Sequence, residues 1–176
     1  MPARIRSLGA VIVCIVSGLV LTPAPAESAE YSDTASETRA NADLVVVVKS
    51  ERVLYLYRDG AILAQYPIAL GLSPIGTKRM RGDDKTPIGA YTLDWRNPDS
   101  DFYRSIHISY PDADDRAHAN ELGVPAGDNI MIHGQPGYDD RPRRGDWTHG
   151  CIAVSNTAID QIWARVADGT PIHIYP

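Results

Sequence analysis

Apolar side chains recur along this chain mainly at the two-residue period of strands. Leu44 to Val48 is an unbroken aliphatic run, the pattern of a buried strand. Lys49-Ser50-Glu51-Arg52 turns it back into Val53 to Arg58, and Asp59-Gly60 is a strong hairpin signal into Ala61 to Leu70. Three strands joined by tight turns predict an antiparallel sheet. A further strand is expected over Ala90 to Asp94, after a stretch broken by Gly and Pro. Another is expected over Ser105 to Ser109, where Ile106 and Ile108 alternate with polar neighbours. Ile130-Met131-Ile132 reads as a short strand that delivers His133, and Ile172 to Tyr175 as a closing one. Helical spacing is clear only at Ile159, Ile162, Trp163 and Val166, preceded by Ser155 or Asn156 as cap. Pro111 to Gly127 is acidic and loop-like, with a helical turn near Ala117 to Glu121. The sum is a mainly β domain, sandwich or barrel-like, with one definite helix.

The first part of the chain does not share this patterning. Arg4 and Arg6 precede the apolar stretch Leu8 to Leu21, and Ala24-Pro25-Ala26 offers a small-residue cleavage site. Residues 1–26 are therefore expected to be a signal peptide, too short in its apolar part for a comfortable span. Residues 27–42, rich in Ser, Glu, Thr and Ala, read as a flexible leader. Residues 43–176 form one domain, and the mature protein has no expected transmembrane span. Its 15 basic and 22 acidic side chains leave a net charge of −7, which excludes a nucleic-acid partner as the leading expectation.

Export changes how the cysteines are read. Cys14 is removed with the signal, so Cys151 becomes the lone thiol in a compartment that favours disulfides. Such a thiol is buried and inert, intermolecular, or reactive. Its neighbours favour reactivity, because Thr148-His149-Gly150 precede it and His133-Gly134 lie 18 positions upstream. Gly150 permits a tight backbone turn, with the N–H groups around Gly150 and Cys151 facing the same space as the sulfur. His133 is the favoured base, with the Gly134 carbonyl orienting its other ring nitrogen. His149 is given an electrostatic or substrate-contacting role. A thiolate–imidazolium pair would lower the cysteine pKa and raise that of the histidine. A zinc site of His133, His149 and Cys151 lacks a fourth ligand.

The remaining polar residues divide between chemistry and structure. Arg141, Arg143 and Arg144 are solvated loop charges or contacts for a substrate carboxylate. Lys78, Arg79 and Arg81 are a solvated loop or a basic rim over a cleft. His107 and His173 are structural, and Trp147 is a packing anchor beneath the loop.

The motifs His133-Gly134 and Thr148-His149-Gly150-Cys151-Ile152, at this separation, resemble the L,D-transpeptidase catalytic domain (YkuD) family. Lys49-Ser50-x-Arg52-x-Leu54, Tyr57-Arg58-x-Gly60, Gly82-Asp83-x-Lys85-Thr86-Pro87-x-Gly89 and His107-Ile108-Ser109-Tyr110-Pro111 extend the likeness over about residues 43 to 176. The resemblance implies a β-sandwich-like fold in which Cys151 is the nucleophile and His133 its general acid/base. It implies attack on the bond after the L-centred meso-diaminopimelate residue of a peptidoglycan tetrapeptide, with release of D-Ala. The acyl group then passes to an amine on a neighbouring stem, to a wall-linked lipoprotein, or to water. Gly150, Thr148, Arg143 and Arg144 are the expected oxyanion and substrate groups, no metal or organic cofactor is implied, and the place of work is the periplasm. A hydrolase of the same bonds and a non-catalytic wall-binding module are the alternatives. Thr148 stands where Ser is commoner, and Ala153 where many members carry Arg. The form Trp147-Thr-x-Gly-Cys-Ile-Ala-Val is similar to the YafK-like branch.

Overall fold

A computed structural model of the protein describes residues 41–138, 141 and 143–176. The expected signal peptide and all but the last two residues of the expected leader lie outside the described residues. Of those two, Ala42 is buried and its N–H donates to Arg165 O at 2.8 Å.

Among the described residues eight strands form one mixed sheet. In chain order they are β1 (Leu44–Val48), β2 (Val53–Arg58), β3 (Ala61–Pro67), β4 (Gly89–Ser100), β5 (Tyr103–Ile108), β6 (Met131–His133), β7 (Ile152–Ala153) and β8 (Thr170–Tyr175). Helix α1 (Ala113–Glu121) lies between β5 and β6, and α2 (Asn156–Arg165) between β7 and β8. Across the sheet the order is β3-β2-β1-β8-β4-β5-β6-β7. The β1-β2-β3 meander is antiparallel as the turns predict, whereas β1–β8 and β6–β7 are parallel.

The segment after β3 reaches the far edge of the sheet. Ala69 exchanges two backbone hydrogen bonds with Ala153 at 2.9 Å each, and Gly71 bridges to Thr148. The sheet thus curls until the continuation of one edge meets β7, removing an open edge there. Inside lie Val45, Val47, Leu54, Leu56, Leu93, Ile106, Ile108, Ile132, Ile172 and Ile174, at most 1 % exposed. Alternation in β1, β2 and β8 places these on the inner face. Ile159 and Ile162 of α2 are fully buried and the helix packs on β5 and β6. Its cap is Ser155, whose Oγ accepts from Ala158 N at 3.1 Å.

Three features depart from the sequence reading. Among the described residues there are two α-helices: beside the expected one, α1 starts at Ala113, replaces most of the expected acidic loop and runs through the expected helical turn near Ala117 to Glu121. It buries only Ala119, so it has no apolar stripe to betray it. It is held by a capping box, with Asp112 accepting from Asp115 N at 2.9 Å and Asp115 from Asp112 N at 3.2 Å. Strand β4 runs through Asn97-Pro98, where register shifts against β5 absorb the proline. Strand β7 is two residues long, below the length at which a period can be read.

Candidate active site

The parallel β6–β7 pair brings the two halves of the motif together. Ile132 is level with Ile152 and His133 with Ala153, so His133 at the end of β6 lies beside the residue that follows Cys151-Ile152. His133 and Cys151 line one cleft of about 480 Å³ with Phe102, Pro136, Arg143, Trp147, Thr148 and His149. A second cleft of about 270 Å³ borders Cys151 and His149 from the other side, walled by charged residues that include Lys78, Arg81, Asp84 and Asp128. The thiol is therefore reached from two directions.

His133 is 3 % exposed. Its Nδ1 is 2.8 Å from Gly134 O, and since a carbonyl only accepts, the proton sits on Nδ1 and Nε2 carries a lone pair. Phe102 tilts over the ring at 4.6 Å and Trp147 meets it edge-on at 5.7 Å. Burial pulls the imidazole pKa down to about 4, against a small opposing effect of the Gly134 carbonyl. Burial also pushes the Cys151 thiol up, opposed by the Met131 N–H and the Lys78 charge. Both directions oppose a resting thiolate–imidazolium pair. The low-dielectric pocket favours the neutral thiol and neutral imidazole.

The turn before Cys151 is closed by Thr148. Its hydroxyl donates to Cys151 O at 2.7 Å and accepts from Gly150 N at 3.2 Å. The Gly150 N–H is thus directed at Thr148, whose hydroxyl braces the turn. Gly150 itself has φ 127°, and a Cβ there would meet Lys85 O at 2.7 Å. Gly71 is as constrained, with Asp84 O at 2.1 Å from its would-be Cβ and Gly150 N at 3.1 Å. We expect Gly150→Ala to cost about 1–3 kcal/mol in stability and to slow acylation of Cys151 on the order of 100-fold by displacing the sulfur. Thermal unfolding and the rate of adduct formation with a carbapenem check this, and an Ala variant acylated at the wild-type rate would refute it.

Several residues near the thiol carry no signal in hydrophobic periodicity. The Met131 N–H donates to Cys151 Sγ at 3.4 Å. Asp84 Oδ1 is 2.8 Å from His149 Nδ1. Phe102 sits on a loop with no motif around it. Asp84 lies in the Gly82 to Gly89 motif, which was the one clue to it. The stretch bearing Asp84 is anchored from below by Lys49, 2 % exposed, whose Nζ donates to Gly76 O and, at 2.8 Å, to Thr86 O.

Of the basic residues expected as a solvated loop or a rim over a cleft, Lys78 and Arg81 wall the second cleft. Lys78 is 4 % exposed and paired with Asp83 at 2.9 Å; Arg79 contacts His118; Arg81 lies 3.4 Å from Asp128 on the wall of the second cleft. Arg143 lies over the Trp147 ring, 4.9 Å from its centroid, and lines the His133 cleft. Arg144 is exposed and lies outside both clefts, and Arg141 is exposed. Trp147 is a wall of the cleft as well as a packing residue. Ala153 is 2 % exposed and faces a separate hollow of about 460 Å³ behind Trp147, bounded by Arg52 and Arg143. His107 is tied to Asp94 at 2.6 Å and stacks on Trp95 at 4.8 Å, away from the clefts; His173 packs on Tyr175 at 6.2 Å. Among the described residues no three His, Cys, Asp or Glu converge as a metal site, and no helix is long and apolar enough to cross a membrane.

Residues 42–174 match the model of the YkuD L,D-transpeptidase catalytic domain. The chain belongs to that family. It is 34% identical over 146 residues to Escherichia coli (strain K12) YafK, whose name marks it as a candidate L,D-transpeptidase; the match covers 75% of this chain and 53% of YafK. The chain thus spans about half the length of the curated relatives it matches. Among solved structures it is similar to the helical cell shape determining protein Pgp2 of Campylobacter jejuni, with 28% identity and a TM-score of 0.59 over 77% of this chain and 48% of Pgp2. Bdellovibrio bacteriovorus Bd1075 is similar at 25% identity and a TM-score of 0.54, over 81% of this chain and 50% of the other. The L,D-transpeptidase of Xylanimonas cellulosilytica shares the fold, with a TM-score of 0.51 at 16% identity over 77% of this chain and 61% of the other. The YkuD-type, mostly β fold expected from the motifs is therefore the fold found.

Proposed function

We propose that this YkuD-family protein is an exported L,D-transpeptidase that works in the periplasm on peptidoglycan tetrapeptide stems through a thioester on Cys151. The observation that carries this reading is the cleft shared by the Cys151 thiol and His133, with the His133 Nδ1 proton held by Gly134 O. Residues 1–26 are its export signal, and residues 27–42 the leader to a catalytic domain over 43–176.

In this reading His133 Nε2 takes the thiol proton as Sγ attacks the carbonyl of the L-centre of meso-diaminopimelate. The bond to D-Ala breaks, and the imidazolium returns the proton to the departing amine. The Cys151 N–H and its neighbours beyond Gly150 serve the oxyanion. Arg143, on the cleft wall, meets a stem carboxylate as a planar fork can; Arg144, outside it, contributes charge to approach. The thioester then passes its acyl group to an amine on a second stem or on a wall-linked lipoprotein. Likeness to Pgp2, named for determining helical cell shape, supports an effect on wall architecture.

Incubating the protein with purified sacculi and counting muropeptides tests the proposal. New crosslinks between diaminopimelate residues are the expected result. Crosslinks or lipoprotein links only lost would make it a hydrolase of the same bonds, and no change in either would leave a wall-binding module.

A further inference from the structure

Trp147 stands between two spaces. On one side its ring meets His133 edge-on at 5.7 Å and Phe102 at 6.1 Å. On the other it borders the hollow of about 460 Å³, and Trp147 and Arg143 are the residues that hollow shares with the His133 cleft. Exposed Pro67, Arg143 and Gly145 rim the hollow, so solvent reaches it. Trp147 is the partition between a wet space and the His133 ring. The indole does not anchor itself there, because its Nε1 is buried with no hydrogen-bond partner among the described residues.

Its place is set by the backbone that carries it. The N–H groups of Trp147 and Thr148 both donate to Leu70 O, at 3.1 Å each. The residue before them is clasped more tightly. Asp146 Oδ1 accepts from Leu70 N at 2.9 Å, and its carboxylate takes two donors of Arg52, Nη2 at 2.7 Å and Nε at 3.1 Å. Arg52 is fixed in turn, since its guanidinium also donates to Lys49 O and its own carbonyl accepts from Ile68 N at 2.9 Å. One carboxylate thus ties the β1–β2 turn, the continuation of β3 and the approach to Cys151. Neither Arg52 nor Asp146 lines the His133 cleft. Their side chains are 37% and 16% exposed, and a forked pair in such a setting specifies a position.

We propose that Arg52 and Asp146 are positioning residues for the reaction at Cys151: their ion pair holds Trp147 as the partition that shuts solvent in the hollow off from His133. This inference rests on the reading of His133 as the base. The clasp then sets a proton affinity from a distance. Burial holds the His133 imidazole at about 4, and on this side the burying group is the indole. The charged and titratable groups around the ring are Arg143, His149 and Cys151 of the same cleft, while Arg104, on the strand paired with β6, is turned to Asp160 at 2.9 Å. A clasp that fails admits water to the ring, and the imidazole midpoint rises toward its ordinary 6.5. The sign is diagnostic. Loss of the Asp146 charge by itself would disfavour an imidazolium and lower the midpoint, so a rise in Asp146→Ala reports wetting.

Proton NMR of the His133 ring through the acidic and neutral range tests this in the full-length protein, with His133→Gln assigning the signal. Asp146→Ala and Arg52→Ala should each raise the midpoint by at least about one unit, a tenfold change in proton affinity. Arg52→Lys, which keeps the charge without the fork, should raise it less. Trp147→Leu should raise it alone, and adding Asp146→Ala to Trp147→Leu should raise it no further. The acidic limb of Cys151 acylation by a carbapenem should move with the midpoint. Thermal unfolding shows which variants are folded. Asp146→Asn, nearly isosteric and able to keep the Leu70 contact, carries the test where the Ala variant does not fold, with a smaller rise expected. An unchanged or lowered midpoint in the folded Asp146 variant, or an equal further rise in the Trp147→Leu background, would overturn the clasp. A midpoint that moves as expected in a protein whose Cys151 forms no adduct would uphold the clasp and overturn the Proposed function.

Discussion

Replacing Cys151 by Ala should remove acyl-enzyme formation altogether while leaving the fold in place. The sulfur accepts one weak hydrogen bond, from Met131 N at 3.4 Å, and lies 3.5 Å from Asn129 O. Loss of those contacts and of one small side chain costs about 1 kcal/mol, within the margin of an ordinary domain. Chemistry has no such margin. A methyl group has no lone pair, no proton for His133 to take, and no leaving-group capacity, so the covalent route is closed. Intact mass spectrometry after exposure to a carbapenem reads this directly: the wild type should gain one adduct at Cys151, and Cys151→Ala none. Circular dichroism and thermal unfolding show whether the variant is folded. A folded Ala variant that still turns over tetrapeptide would overturn the central claim.

How far the sequence could carry this conclusion depended on the kind of interaction that builds each part. The β1-β2-β3 meander was legible because alternation, a run of Val and one Asp-Gly turn each leave a local trace. The curl of the sheet was not, because the bridge from Ala69 to Ala153 joins residues 84 positions apart through backbone atoms alone. Helix α1 was hidden for the opposite reason, since caps and charges hold it and it offers almost nothing to the core.

At the candidate site the same division holds. Cys151, His133 and the Gly134 carbonyl were named from the motif; the first two share one cleft and the third holds His133 Nδ1, their chemical roles standing as the proposal above. That the Thr148 hydroxyl accepts from the Gly150 N–H was not legible, because no spacing rule reports such a contact. Asp84 was not singled out in the sequence, because its carboxylate meets His149 only across 65 positions of chain. Burial opposes the expected ion pair. Charge complementarity can be read from two residue types, but the dielectric around them comes from Phe102, Trp147 and the strand ends, which are distant in sequence.

That burial has its largest measurable consequence at His133. With the imidazole pKa drawn down to about 4, His133 stays a free base through mildly acidic pH. The acidic limb of kcat/KM should therefore fall near pH 4 rather than near 6.5. His133→Gln should lower acylation on the order of 1,000-fold and abolish that limb, since Gln accepts no proton at these pH values. Stability should follow the same group with a definite sign. The unfolded chain takes up the proton near pH 6.5 and the folded one only near 4, so between those values the unfolded state binds more protons. Stability consequently falls as the pH drops through that window, by up to about 3 kcal/mol from this one residue. Denaturant unfolding of wild type and His133→Gln at pH 7 and pH 4.5 isolates the effect, because the carboxylates titrate alike in both. The wild type should lose more stability than the variant on acidification. If it loses less, or if the kinetic limb lies near 6.5, His133 is charged in the resting protein and the neutral pair is wrong. One residue thus answers for both quantities: the desolvation that keeps His133 unprotonated, and so free to take a proton in the proposed step, is the same desolvation that makes the fold sensitive to acid.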